Sequence, residues 1–233
     1  MEQNQLNRMS IPKRYERKFL ISDMDVKNIE TVVKLNPYTF NEIYYERNIN
    51  NIYFDTEDHI NYFDNINGCF DRIKVRIRWY GDLYQNIEEP MLELKIKEGS
   101  LGYKKTFKLN KFNLSEGSRN DSILISLKES GLPKEISDMI KSCRPILINR
   151  YKRKYFESAC HHYRITIDSE LTYFPIDKQA NTSHIKYRDF DNKVLELKYN
   201  SDKDKFASKI STKFPFIMTK SSKYVMGIER LYK

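Results

Sequence analysis

The chain has 233 residues, 39% of them hydrophobic and 31% charged, with 17 Tyr and 13 Phe; disordered chains are poor in such aromatics, so it reads as a folded protein with a sizeable core. Lys and Arg number 41 against 32 Asp and Glu, a net charge of +9, which favours an anionic partner: nucleic acid, a membrane surface or a phosphorylated small molecule. Only 7 Gly and 7 Pro, and three cysteines (Cys69, Cys143, Cys160) outside any CxxC spacing, exclude a collagen-like chain and argue against a disulfide framework or a cysteine zinc site.

No apolar run approaches the roughly 18 residues of a transmembrane helix. The N-terminus MEQNQLNRMS lacks the apolar stretch of a secretory signal. With free thiols, a cytoplasmic location is expected.

Residues 1–10 are polar and expected to be disordered, and 11–233 read as a single domain without repeats. Arg14 to Ile21 alternate between charged and apolar and predict a strand. Ser22 reads as the N-cap of a helix running to about Lys34, with Val26, Ile29, Val32 and Val33 on one face. Tyr38 to Asn51 reads as irregular, Ile52 to Asp55 as a short strand, and 56–68 as a loop or broken helix. Residues 70–80 and 91–98 are predicted strands. Gly99, Ser100 and Gly102 mark a hairpin turn into a further strand over 103–109. Residues 114–130 and 133–143 look helical, and strands return at 146–158, 162–169 and 193–199, with Asp191-Asn192 as a turn before the last. A helix over Ser201–Ser211, a break at Pro215 and a final helix from about Ser222 complete the chain. The class is α+β, dominated by antiparallel strands.

Period-two alternation separates two faces on these strands. Ile73, Val75, Ile77 and Trp79 oppose Lys74, Arg76 and Arg78; Leu92, Leu94 and Ile96 oppose Glu93, Lys95 and Lys97. Leu195 and Leu197 oppose Glu196 and Lys198, Ile165 and Ile167 oppose Arg164, Thr166 and Asp168, and Arg14, Glu16 and Lys18 share one face. A solvated sheet face is the simple reading of any single strand. Across the set, however, the polar faces carry almost no Ser, Asn or Gln, and basic residues two apart recur with an occasional carboxylate. Closing such strands into a barrel with the apolar face outward, under helices, would line a tunnel with guanidinium and ammonium groups. A chain of phosphates fits that wall, and the few inward carboxylates would hold a divalent cation.

These residues also carry a resemblance. Arg14-Tyr15-Glu16-Arg17-Lys18-Phe19, Ile52-Tyr53-Phe54-Asp55-Thr56, Lys74-Val75-Arg76-Ile77-Arg78-Trp79-Tyr80-Gly81, Leu92-Glu93-Leu94-Lys95, Tyr151-Lys152-Arg153-Lys154-Tyr155-Phe156, Arg164-Ile165-Thr166-Ile167-Asp168, Leu195-Glu196-Leu197-Lys198 and Lys220-Ser221-Ser222-Lys223-Tyr224 occur in the order seen in the VTC domain. That domain is the polyphosphate polymerase domain of the CYTH-like, or triphosphate tunnel metalloenzyme, superfamily, and the chain resembles it over residues 12–229.

The resemblance implies an antiparallel eight-stranded β-barrel tunnel with helices packed around it, Mn2+ (or Mg2+) as the metal, and transfer of the γ-phosphate of a nucleoside triphosphate onto a polyphosphate chain. Carried over, Lys18, Arg76, Arg78, Lys95, Arg153, Lys198 and Lys223 match basic phosphate-binding positions. Tyr151 matches a tunnel tyrosine, Glu196 a metal-binding carboxylate, and Lys104 a basic residue of the hairpin, with Lys105 as the other register. Taken together, Lys18, Arg76, Arg78, Tyr151, Arg153 and Lys223 are the candidate catalytic groups. Arg14, Lys74, Lys95, Lys97, Lys104, Arg164 and Lys198 are candidate ATP, triphosphate or polyphosphate contacts. Glu196, Glu16 and Asp168 are candidate metal ligands, Asp168 equally readable as the ion-pair partner of a tunnel arginine.

Triphosphatases and adenylate cyclases of this superfamily begin Glu-x-Glu-x-Lys, where this chain has Arg14-x-Glu16-x-Lys18. Arginine there removes an anionic ligand and adds a cation, which suits a longer phosphate chain. A tripolyphosphatase or nucleoside triphosphatase, with Glu16 or Glu93 orienting water, and a non-catalytic polyphosphate-binding module stay open beside the polymerase. The strand-borne inward charge disfavours a nucleic-acid surface.

Overall fold

The computed structural model describes residues 14–98, 101–117, 120–176 and 186–232, with Arg14 and Leu101 through their backbone. The expected disorder of 1–10 and the turn residues Gly99 and Ser100 lie outside the described residues. The expected α+β architecture is present.

Strand β1 (Arg14–Ile21) carries the predicted alternation, burying Phe19 and Ile21. Helix α1 (Val26–Lys34) begins later than Ser22 because Asp25 is the cap, its carboxylate accepting the Asn28 N–H at 2.8 Å. Strand β2 (Phe40–Asp55) corrects the irregular reading of 38–51. It is one 16-residue strand, but its first half is exposed on both faces and two register shifts interrupt it, so no period-two signal marks it. Helix α2 (Ile60–Ile66) follows, held by Asp55, which accepts the N–H groups of Asn61 and Tyr62 and the Tyr224 hydroxyl.

The middle of the chain forms β3 (Arg72–Tyr80), β4 (Gln85–Ile87), β5 (Met91–Glu98), β6 (Leu101–Lys108), β7 (Phe112–Leu114), α3 (Asp121–Glu129) and α4 (Lys134–Lys141). Strand β8 (Arg144–Ser158) pairs with β9 (Tyr163–Pro175), which runs past its predicted end at 169. The alternation stops there because Glu170 has φ +51° and the ladder with β8 shifts register. Then come β10 (Tyr187–Asp189), β11 (Lys193–Asn200), a 3-10 turn over Ser201–Lys203, α5 (Asp204–Ser211) and α6 (Lys223–Tyr232). None of the described helices is long and apolar enough to cross a membrane.

Eight strands follow one antiparallel path, β1-β11-β9-β8-β2-β3-β5-β6, with β10 taking the β9 edge that β11 leaves. Among the described residues the two ends of the path, β1 and β6, share no ladder. Side chains bridge that seam instead, the Lys95 ammonium of β5 meeting Glu16 of β1 at 2.8 Å.

Apolar faces point outward under helices. Val75, Ile77, Trp79, Leu92 and Leu94 pack against Ile123 and Leu127 of α3 and Ile136 and Ile140 of α4. Phe19, Ile165, Ile167, Leu195 and Leu197 pack against α1 and α5. Helix α6 differs: it packs on Leu147, Tyr151 and Tyr173, and Tyr224 stacks on Tyr53 at 5.2 Å. Tyr53 stands opposite Arg76 in the ladder, so α6 lies against the inner face and fills that end of the tunnel. A Cβ at Gly227 would meet Leu147 at 2.5 Å and Tyr173 at 2.7 Å, so only glycine allows this approach.

Candidate phosphate-chain site

The alternation read from the sequence delivers the charged side chains of β1, β3, β5, β6, β8, β9 and β11 to one concave surface. On one wall Glu93 of β5 collects cations. Arg76 donates Nε and Nη2 to one carboxylate oxygen at 2.8 and 2.6 Å, Lys104 donates to the other at 2.8 Å, and Arg78 stands 3.6 Å away. Burial alone would raise the Glu93 carboxyl, but Arg76, Arg78 and Lys104 hold it well below the usual range. The hairpin register is thereby resolved: Lys104 faces inward, opposite Lys95.

On the other wall Asp168, fully buried, takes Arg153 in a two-point contact at 2.5 and 2.6 Å and Lys223 at 2.5 Å. Glu196 meets Lys198 at 2.6 Å, Lys18 at 3.1 Å and Arg153 at 3.6 Å. Glu16 meets Lys95 and, at 3.4 Å, the same Lys18 ammonium. The Glu16 carboxyl falls to about 2: burial raises it, and Lys18 and Lys95 outweigh that. Tyr151 joins the walls. Its hydroxyl accepts from Arg78 at 3.3 Å, and its ring lies 5.2 Å from the Arg153 guanidinium and 4.8 Å from the Lys223 ammonium. Burial pushes the Tyr151 hydroxyl pKa up, but Arg153, Arg78 and Lys223 bring it below the ordinary tyrosine value.

Lys74 is different. Its ammonium donates to the Ser222 hydroxyl at 2.9 Å, and among the described residues no carboxylate lies within ion-pair distance. Burial, and then the charges of Lys18, Lys95 and Arg72, push it down to about 7.

Two expected residues stand apart, and a third is described through its backbone alone. Arg164 pairs with Glu157 at 2.8 Å with its side chain 65% exposed, at the rim. Lys97 lies opposite Arg72, beyond the ion-paired groups. For Arg14 the backbone pairing with Asn200 is what the structure describes. Of its two readings, metal ligand or ion-pair partner, Asp168 shows the second contact here: its two oxygens hold Arg153 and Lys223 away from solvent. Sequence reasoning overlooked Asn51, whose side-chain oxygen accepts from Arg78 Nε at 3.0 Å, and Ser222. Asn51 was hidden by the patternless start of β2, and a serine before a helix signals only a cap. Glu93 was visible as the lone carboxylate of its face, yet its part in gathering three cations was not.

A divalent cation fits here in one place. Among the described residues no three His, Cys, Asp or Glu side chains group as a metal site. Glu16 and Glu196, however, converge on one ammonium, that of Lys18. Two hard carboxylates leave Mg2+ or Mn2+ to complete its shell with water and phosphate oxygens, the usual arrangement at phosphate sites.

Comparison with known proteins follows this geometry. The family model of the VTC domain matches residues 13–232. No curated protein matches the chain. Among solved structures, a proposed adenylate cyclase from Vibrio parahaemolyticus is 11% identical with a TM-score of 0.52, over 92% of this chain and 98% of that one. A proposed adenylyl cyclase from Hippeastrum that reveals a dominant triphosphatase activity is 13% identical with a TM-score of 0.49, over 94% and 96%. At such identity the Vibrio likeness is one of fold.

Proposed function

The chain belongs to the VTC-domain family, and from that premise we propose that it is a metal-dependent polyphosphate polymerase, moving the γ-phosphate of ATP onto a polyphosphate chain held in the tunnel. Lys74 is the observation that carries the reading. A lysine pushed down to about 7 among Lys18, Lys95 and Arg72, without a carboxylate of its own, marks a place completed by an anion from outside. Around it Lys18, Arg76, Arg78, Lys95, Lys104, Arg153, Lys198 and Lys223 pair, among the described residues, with Glu16, Glu93, Asp168 and Glu196.

In this reading Arg76, Arg78 and Lys104 form one wall and Arg153, Lys198 and Lys223 the other. Together they align donor and acceptor phosphates and neutralise charge as it develops on the transferred group. Tyr151, wedged between Arg78, Arg153 and Lys223, positions these cations and can donate a hydrogen bond to a phosphate oxygen. Glu16 and Glu196 would hold the metal, which when bound neutralises phosphate oxygens.

The rival readings are hydrolysis and binding without turnover. Glu93 is a poor candidate for orienting water, since three cations occupy its oxygens; Glu16, nearer solvent, is the better one. Incubation with ATP, Mn2+ and a short polyphosphate primer, resolved on a gel, separates the three. Chain growth is the expected result. Free phosphate without growth would indicate a triphosphatase, and retention without turnover a binding module.

A further inference from the structure

The inner face continues beyond the end of β3, whose ladder with β2 finishes at Ile49 opposite Tyr80. Past that point β2 shifts register against β8 twice, between Glu42 and Tyr44 and between Tyr44 and Arg47. Bulges re-aim side chains. Tyr44 and Tyr45, which a regular strand would send to opposite faces, both lie against the Arg47 guanidinium. Its carbon is 4.7 Å from the Tyr44 ring centre, 5.1 Å from Tyr45, 5.6 Å from Tyr155 and 5.8 Å from Tyr80. Tyr44 meets Tyr155 edge to face at 5.7 Å.

Two features of this cluster are not explained by packing. Arg47 has no carboxylate within ion-pair distance among the described residues, and its buried Nε donates to nothing. The rings are also wet: Tyr44 and Tyr80 are half exposed and Tyr45 is 77% exposed. The cluster is continuous with the tunnel, since Arg47 stands opposite Arg153 in the ladder and Tyr155 lies two residues beyond Arg153 on β8. The other end of β2, at Tyr53 and Asp55, is the end filled by α6.

We propose that the Arg47–tyrosine cluster is the nucleoside-binding site of the tunnel, stacking the base of a nucleoside triphosphate whose phosphates enter the cationic wall. The inference rests on the phosphate-chain reading of the tunnel. Exposed aromatic faces hold bases of any identity by stacking. A guanidinium without a carboxylate partner among the described residues suits the first phosphate or a base carbonyl. Weak discrimination between purine and pyrimidine donors follows.

The test is calorimetric binding of an imido analogue of ATP and of inorganic triphosphate to the full chain and to Tyr45→Ala and Tyr80→Ala, with Phe70→Ala as a comparably exposed aromatic just before the opposite end of β3. Stacking on one ring supports a loss of about 5- to 150-fold for the ATP analogue in each tyrosine variant. Triphosphate affinity should stay level, and Phe70→Ala should change neither. If both ligands weaken together in the tyrosine variants, the rings only support the tunnel wall and the proposal falls. It falls equally if neither ligand weakens, or if Phe70→Ala acts like the tyrosine variants. Failure of the unaltered protein to bind triphosphate would overturn the tunnel reading itself, and the nucleoside site with it.

Discussion

Lys74→Met should stabilise the ligand-free protein, and by an amount that depends on pH in a defined sense. The folded chain lowers the lysine from its ordinary 10.5 to about 7. At about 1.4 kcal/mol per pH unit, that difference sets an upper bound of about 5 kcal/mol for the unfavourable energy of the charged form. Water and counter-ions in the tunnel screen the repulsion, so a gain of at least about 1 kcal/mol is the working expectation. The sign is fixed by linkage. Well below pH 7 the group is charged in both folded and unfolded chains, and the full unfavourable term is present. Between 7 and 10.5 the folded chain has lost a proton that the unfolded chain keeps, so wild-type stability rises with pH and the advantage of methionine shrinks. Melting curves in chelator, at pH 6.5 and 9.5, measure this. About 1 kcal/mol corresponds to roughly 2–4 °C for a chain of this size. The melting temperature should rise at pH 6.5 and much less at pH 9.5, while triphosphate affinity falls. A variant less stable at pH 6.5, or equally stabilised at both, would mean that Lys74 is not crowded by unbalanced cations.

The two faces of β3 can be separated by Arg76→Ala and Ile77→Ala. The first should weaken triphosphate binding or turnover roughly 10- to 150-fold through one lost charge-assisted contact, with Glu93 still holding Lys104 and Arg78. The second should lower stability by about 2–5 kcal/mol through the cavity it leaves, with the chemistry of folded molecules intact; the reverse pattern in melting and activity assays would invert the tunnel. Asp168→Asn should destabilise by about 3–5 kcal/mol in urea titrations, because Lys223 would be left buried without its counter-charge and Arg153 with the more distant Glu196 alone. A loss below about 1 kcal/mol would show that those cations find another partner.

Legibility followed periodicity. Where β3, β5, β9 and β11 alternate strictly, both faces could be assigned, and the buried set Val75, Ile77, Leu94, Ile165 and Leu197 matches the expectation. Where the backbone departs from a regular strand the pattern fails. The first half of β2 is largely wet on both sides and doubly bulged, and it hid Arg47 and the tyrosines around it. Glu170, in the left-handed region, cut β9 short on paper. Helix α6 was recognisable as a helix, but its place on the inner face depends on Gly227 meeting Leu147 and Tyr173, long-range contacts that local patterning does not encode. Whether Asp168 binds metal or arginine was likewise undecidable from one strand, since Arg153 and Lys223 arrive from two other elements.

Among the described residues the four inward carboxylates of the cationic wall do not play one part, and the exposure of the cations they hold sorts them. Asp168 is sealed between Arg153 and Lys223, so this triad is fixed structure and an arriving phosphate meets it as a net cation. Glu93 is nearly as buried but holds Lys104, whose side chain is half exposed, beside Arg76. Lys104 can turn to a phosphate without leaving Glu93 unpaired. Glu16 is the most exposed of the four, and its partner Lys95 is more than half exposed; Glu196 shares Lys18 with it. That pair has cations to release, and these are also the two carboxylates of the proposed metal site. A polyanion entering the tunnel would draw Lys95, Lys18 and Lys198 toward itself, leaving Glu16 free for metal and Glu196 with Arg153 alone. Metal and phosphate chain should therefore bind with positive coupling, each strengthening the other by the same factor.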